Sequence, residues 1–86
     1  MSQLMHTYST LVRDVRGTMY QARVYGDQRL DGTWTGWLEF YPLFADAPIL
    51  RTGQETSQPD RDALEYWAGG LEPIYLDGAL QRAFAE

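Results

Sequence analysis

Residues 33–41 read Thr-Trp-Thr-Gly-Trp-Leu-Glu-Phe-Tyr, and no other stretch of the chain places so much burial potential in so few residues. Side chains along a strand point alternately to its two faces. As a strand, the stretch sends Trp34, Leu38 and Phe40 one way and Trp37, Glu39 and Tyr41 the other. The first set is wholly apolar and predicts a core face. The second mixes rings with a carboxylate and predicts a surface with a purpose. Gly36 stands between tryptophans, and a glycine inside a strand marks either a bulge or the close approach of another group. A bulge there would exchange the faces beyond it and set Trp34 and Trp37 on one side.

The neighbouring segments supply partners for this strand. Residues 1–6 have no periodic pattern and are expected to form a flexible lead-in to a single domain spanning 1–86. Residues 7–15 alternate with Tyr8, Thr10 and Val12 on one face, and residues 18–25 alternate with Tyr20, Ala22 and Val24. The polar turn Asp14-Val15-Arg16-Gly17 joins them as a hairpin. Asp31-Gly32 gives a second turn directly before the central strand. Pro42 is expected to end that strand, and residues 49–52 fit a short fourth strand at an edge.

Helical signals follow. Ser57-Gln58-Pro59-Asp60 suits a helix start with Ser57 as N-cap, and Ala63, Leu64, Trp67 and Ala68 recur at helical spacing up to the Gly69-Gly70 stop. Trp67 is the expected chief anchor. Residues 73–76 read as extended, because one helix from Pro73 onward would carry Gly78 inside it at about 1 kcal/mol relative to alanine. A short helix over 78–85, capped by Asp77, would then bury Leu80, Ala83 and Phe84. The predicted fold is therefore α+β, an antiparallel sheet of three to four strands in the order β-β-β-β-α-α, packed on one or two C-terminal helices. At the level of element order this resembles several small bacterial antitoxin and regulatory folds, in which the uncovered sheet face binds a partner; no residue motif carries the likeness.

Composition narrows the function classes. A chain of 86 residues has a modest core, and with no cysteine it has neither disulfide staples nor a thiol nucleophile. Self-association, most simply a homodimer, is one way for so small a chain to gain stability. The net charge of −5 disfavours binding to duplex DNA. Every cation is an arginine, and lysine and asparagine are absent, a bias that codon usage in a GC-rich genome explains. No signal-peptide pattern or membrane-length apolar run is present, so a cytoplasmic location is expected.

Catalytic parts are few. His6, the one histidine, falls in the lead-in. Glu55, Asp60, Asp62 and Glu65 match no metal loop and are read as a helix N-terminus and a solvated helix face; no cofactor or metal is expected. What remains is the outer sheet face, carrying Arg13, Gln21, Arg23, Tyr25, Trp37, Glu39 and Tyr41. Arg13, Arg23, Tyr25, Trp37 and Tyr41 are the candidate binding residues. Rings interleaved with arginines suit a protein interface, with a partner or with a second copy, and this predicts a non-catalytic protein-binding or regulatory module. Single-stranded nucleic acid or a small ligand is the alternative occupant. A second helix lying over this face would make the same residues structural.

Overall fold

The computed structural model describes residues 1–44 and 46–85. Its elements are β1 (Gln3–Arg13), β2 (Met19–Gln28), β3 (Trp34–Leu43), β4 (Leu50–Arg51), β5 (Thr56–Gln58), α1 (Arg61–Gly69), α2 (Pro73–Arg82) and β6 (Phe84–Ala85). Among the described residues the strands form one antiparallel sheet in the order β1-β2-β3-β4-β6, with β5 also paired to β3. The α+β architecture, an antiparallel sheet followed by two helices, is the one the periodicity predicts; β5 and the two-residue β6 after α2 are additions to it.

Both helices pack on the same side of the sheet. Tyr8, Val12, Tyr20, Ala22, Val24, Leu38 and Phe40 from the strands join Ala68, Leu76, Ala79 and Leu80 from the helices in one buried cluster. The predicted inner face, Trp34 included, is buried except at Thr10, which is exposed where the β1 register shifts between Thr7 and Leu11. Tyr8 reaches through this layer to donate its hydroxyl to the Ala68 carbonyl at 2.5 Å. Burial, with a smaller contribution from Tyr75, raises the Tyr8 hydroxyl well above the usual tyrosine range. That hydrogen bond satisfies a group whose desolvation would otherwise be costly.

Gly36 is not a bulge. β2 and β3 pair without interruption from Met19↔Leu43 to Gln28↔Trp34, and Gly36 stands directly opposite Gly26. The two glycines form a notch into which Leu64 of α1 inserts. A Cβ on Gly36 would stand 2.7 Å from Leu64 Cδ1 and 3.0 Å from Thr56 Cγ2, and one on Gly26 would meet Leu64 Cδ2. Close approach, the second meaning of a strand glycine, is the correct one here. The register past Gly36 is therefore kept, and Trp37 stays on the face opposite Trp34.

Bulges occur instead in β1, between Leu4 and His6 and between Thr7 and Leu11. They account for the missing periodicity at the start of the chain: residues 3–6, expected as lead-in, are strand, and Met5 packs against the core. β3 runs through Pro42 to Leu43. β4 is not an edge, because β6 pairs with its far side.

The helix starts also differ from expectation. Thr56–Gln58 pair with Trp34–Gly36, so α1 begins later, and Asp60 rather than Ser57 caps it by accepting from the Ala63 N–H at 2.8 Å. Leu64 and Ala68 are its buried residues; Trp67 is half-buried, with its ring edge-on to Tyr75. Residues 73–76 are helical. Leu76, Ala79 and Leu80 form one buried face of α2, and that packing outweighs the propensity cost of Gly78. The chain leaves the helix at Ala83, and Phe84 is exposed in β6 rather than buried in a helix.

Candidate functional site

With both helices on the inner side, the outer face of the sheet has no helix over it. Register fixes its rows. Thr7, Arg23, Glu39, Arg51 and Phe84 lie side by side across β1, β2, β3, β4 and β6, with Tyr25 and Trp37 as one neighbouring pair and Gln21 and Tyr41 as the next. A carboxylate therefore sits between two arginines, with aromatic rings before and after it along β3.

Glu39 is the hub of this arrangement. Trp37 donates its indole N–H to Glu39 Oε2 at 2.9 Å, and Tyr41 donates its hydroxyl to Oε1 at 2.7 Å. The Tyr25 and Tyr41 hydroxyl oxygens are 3.2 Å apart, and since the Tyr41 proton goes to Glu39, Tyr25 is the donor of that bond. Residues two apart on a strand share a face, so one carboxylate at the middle position reaches the rings on both sides. Partial burial, the bond with Tyr25 and the Glu39 carboxylate together push the Tyr41 hydroxyl well above the usual tyrosine range. Tyr41 thus remains a neutral donor.

The arginines lie over the rings. The Arg23 guanidinium sits 3.8 Å from the centroid of Tyr41, and that of Arg51 sits 4.7 Å from Trp37, whose ring also stacks near-parallel with Tyr25 at 6.4 Å. Arg23 is held in place by donating Nε–H to Gln21 at 2.9 Å. Such contacts favour a cation over the negative face of a ring.

Four of the five sequence-derived candidates, Arg23, Tyr25, Trp37 and Tyr41, belong to this one network. Arg13 does not: it pairs with Met19 at the far end of the sheet and lines a separate cleft with Leu80, Asp77 and Gln81. Trp37 is only 8% exposed although no helix covers it, so it supports its neighbours more than it offers a bare ring. Glu39 and Arg51 were not among the candidates. The i−2/i+2 position of Glu39 between two donors on one face was a readable signal; Arg51 required the β3–β4 register, which the sequence does not show.

The acids around α1 are dispersed. Glu55 accepts from Tyr75 at 2.6 Å and from Arg82 at 2.6 and 3.2 Å, Asp60 serves as a cap, and Glu65 pairs with Arg61. Burial alone would raise the Glu55 carboxyl, but the bonds from Arg82 and Tyr75 and the Arg82 charge outweigh it and hold the group below its ordinary value. Among the described residues no three His, Asp or Glu side chains gather as a metal-binding group. Among the described residues no helix is long and apolar enough to cross a membrane. No known protein family matches the chain, and no curated protein and no solved structure resembles it.

Proposed function

We propose that this chain is a small non-catalytic protein-binding module whose outer sheet face recognises an acidic segment of a protein partner. The observation that carries the reading is the Arg23–Glu39–Arg51 row, with the guanidiniums of Arg23 and Arg51 laid on Tyr41 and Trp37, on the side of the sheet that no helix covers. Interfaces draw their anchors from arginine and aromatic residues, and side chains ordered before binding lose less entropy on contact. Arg23 donates only to Gln21 among the described residues, which leaves its outer N–H groups for a bidentate carboxylate.

Charge selects the occupant. This face carries Arg23 and Arg51 around Glu39, which already serves two donors, and Asp27 pairs with the Met1 amino group. Two copies packed face to face would set arginine rows against each other, so homodimerisation through this face is the weaker form of the reading. Stacking platforms for bases are few among the described residues of this face: Arg23 lies over Tyr41, Trp37 is covered, and Phe84 at the sheet's end is the exposed ring.

The test is fluorescence anisotropy with a labelled oligoglutamate peptide and, separately, a labelled single-stranded oligonucleotide. Binding of the peptide that weakens with added salt, and that falls about tenfold (~1.4 kcal/mol) in the Arg23→Gln variant, is the expected result. Absence of peptide binding at low salt, or tighter binding of the oligonucleotide, overturns it.

A further inference from the structure

We infer that the free edge of β1 is where a second copy of this chain docks, β1 antiparallel to β1, to make one sheet continuous through two copies. This goes beyond the acidic-partner reading, because it concerns a different surface and a different partner.

The longest open edge of the sheet is this one strand. β1 ends the strand order, pairs only with β2 and is 11 residues long, whereas the strand at the opposite end, β6, has two. A long open edge presents a row of N–H and C=O groups ready to pair with another strand. Natural edges are blunted by lysine, proline, inward charge or bulges. From Gln3 to Val12 there is no lysine, arginine, aspartate, glutamate, proline or glycine. Bulges are the one device present, and the stretch Leu11–Arg13 beyond them pairs regularly with β2.

Charge names the occupant. A chain of net charge −5 repels its own copy over most approaches, whereas β1 carries no lysine, arginine or carboxylate from Gln3 to Val12, its one arginine, Arg13, standing at the strand's end. A two-fold interface must be self-complementary, and β1 meeting itself antiparallel about its middle sets Arg13 of each copy toward Gln3 of the other, at opposite ends, so that no like charges come together. Leu4 and Leu11 stand along the same strand, on the outer side beside Tyr25 and Gln21, 49% and 39% exposed. With the axis near the middle of β1, Leu4 of each copy lies toward Leu11 of the other, and both gain cover. The two outer faces then form one surface with two Arg23–Glu39–Arg51 rows.

The experiment is light scattering on the full chain as a function of concentration, with hydrogen exchange on the same samples. The expected result is twice the chain mass, with β1 amides losing protection on dilution. The double variant Leu4→Glu/Leu11→Glu should run at the single-chain mass with an unchanged circular dichroism spectrum, and Arg23→Gln should keep the doubled mass. A wild-type mass of one chain at every concentration overturns the inference, as does a doubled mass that Arg23→Gln abolishes. If the glutamate variant fails to fold, the wild-type exchange decides: β1 protection that does not change on dilution contradicts docking there. Failure of this test leaves peptide binding by the outer face unaffected, so the two readings are separable.

Discussion

Trp34 and Trp37 are three residues apart on one strand and almost equally hidden, at 6% and 8% exposed, yet by unlike means. Trp34 lies on the face that carries the helices as a second layer, between Gln28 and Gln58 of the flanking strands. Trp37 belongs to the face without one, and is hidden by its neighbours: Tyr25 stacked beside it, Arg51 over it and Glu39 holding its N–H. Equal burial therefore has unequal meaning. Inner residues are held by dispersion and loss of apolar surface, and outer ones by charge-assisted hydrogen bonds and cation–π contacts that remain beside solvent.

The comparison is most easily broken from the inner side. Leu64→Ala removes the side chain that fills the Gly26–Gly36 notch and should cost about 2–5 kcal/mol in chemical denaturation. Gly36→Ala, which forces a methyl toward Leu64, should cost about 1–3 kcal/mol. Combined, the two should cost clearly less than their sum, because the new methyl occupies space that the truncated leucine vacates. Additive costs would show that α1 does not seat in the notch.

A smaller effect is expected at Glu39. Glu39→Gln keeps the shape but leaves one acceptor oxygen for two donors, with an amide N–H turned toward the other, so about 1 kcal/mol should be lost, accompanied by a change in Trp37 fluorescence. Loss on the scale of Leu64→Ala would place Trp37 in the folding core after all. Arg23→Gln, on the outer rim, should alter stability by no more than about 0.5 kcal/mol. Its effect belongs to binding.

The Glu55–Tyr75–Arg82 cluster gives a pH signature. The Glu55 carboxyl is held below its unfolded value of 4.5, so its stabilisation is fully present above that pH and is lost as pH falls through the lower folded value. Acid titration of wild type against Glu55→Gln should show the two stability curves converging as pH falls below 4.5. Tyr75 follows the opposite sense at alkaline pH. Burial and then the Glu55 hydrogen bond push it up to about 12, so its contribution is lost as pH rises above 10 toward that value.

Both faces of the sheet were legible because alternation is a local property of strands, and Tyr8, Tyr20, Trp34, Leu38 and Phe40 hold their predicted side. What escaped were features set by long-range pairing. Gly36 signals close approach or a bulge equally well until Leu64 is known to lie opposite it. Ser57 has the chemistry of an N-cap but is used as strand because β3 offers a free edge beside it. Helix α2 carries Pro73 and Gly78, two residues unfavourable to a helix interior, yet proline is well placed in a first turn and the buried face of α2 decides the rest. On the outer face the rings were readable, whereas Arg51 entered only through its register with Glu39.

The most direct test of the outer face as a recognition surface is amide chemical-shift mapping of the wild-type chain during titration with an oligoglutamate peptide. The account predicts shifts concentrated at Arg23, Tyr25, Glu39, Tyr41 and Arg51, with the helices unmoved. Shifts confined to α1 and α2, or none on the outer face at saturating peptide, would contradict it.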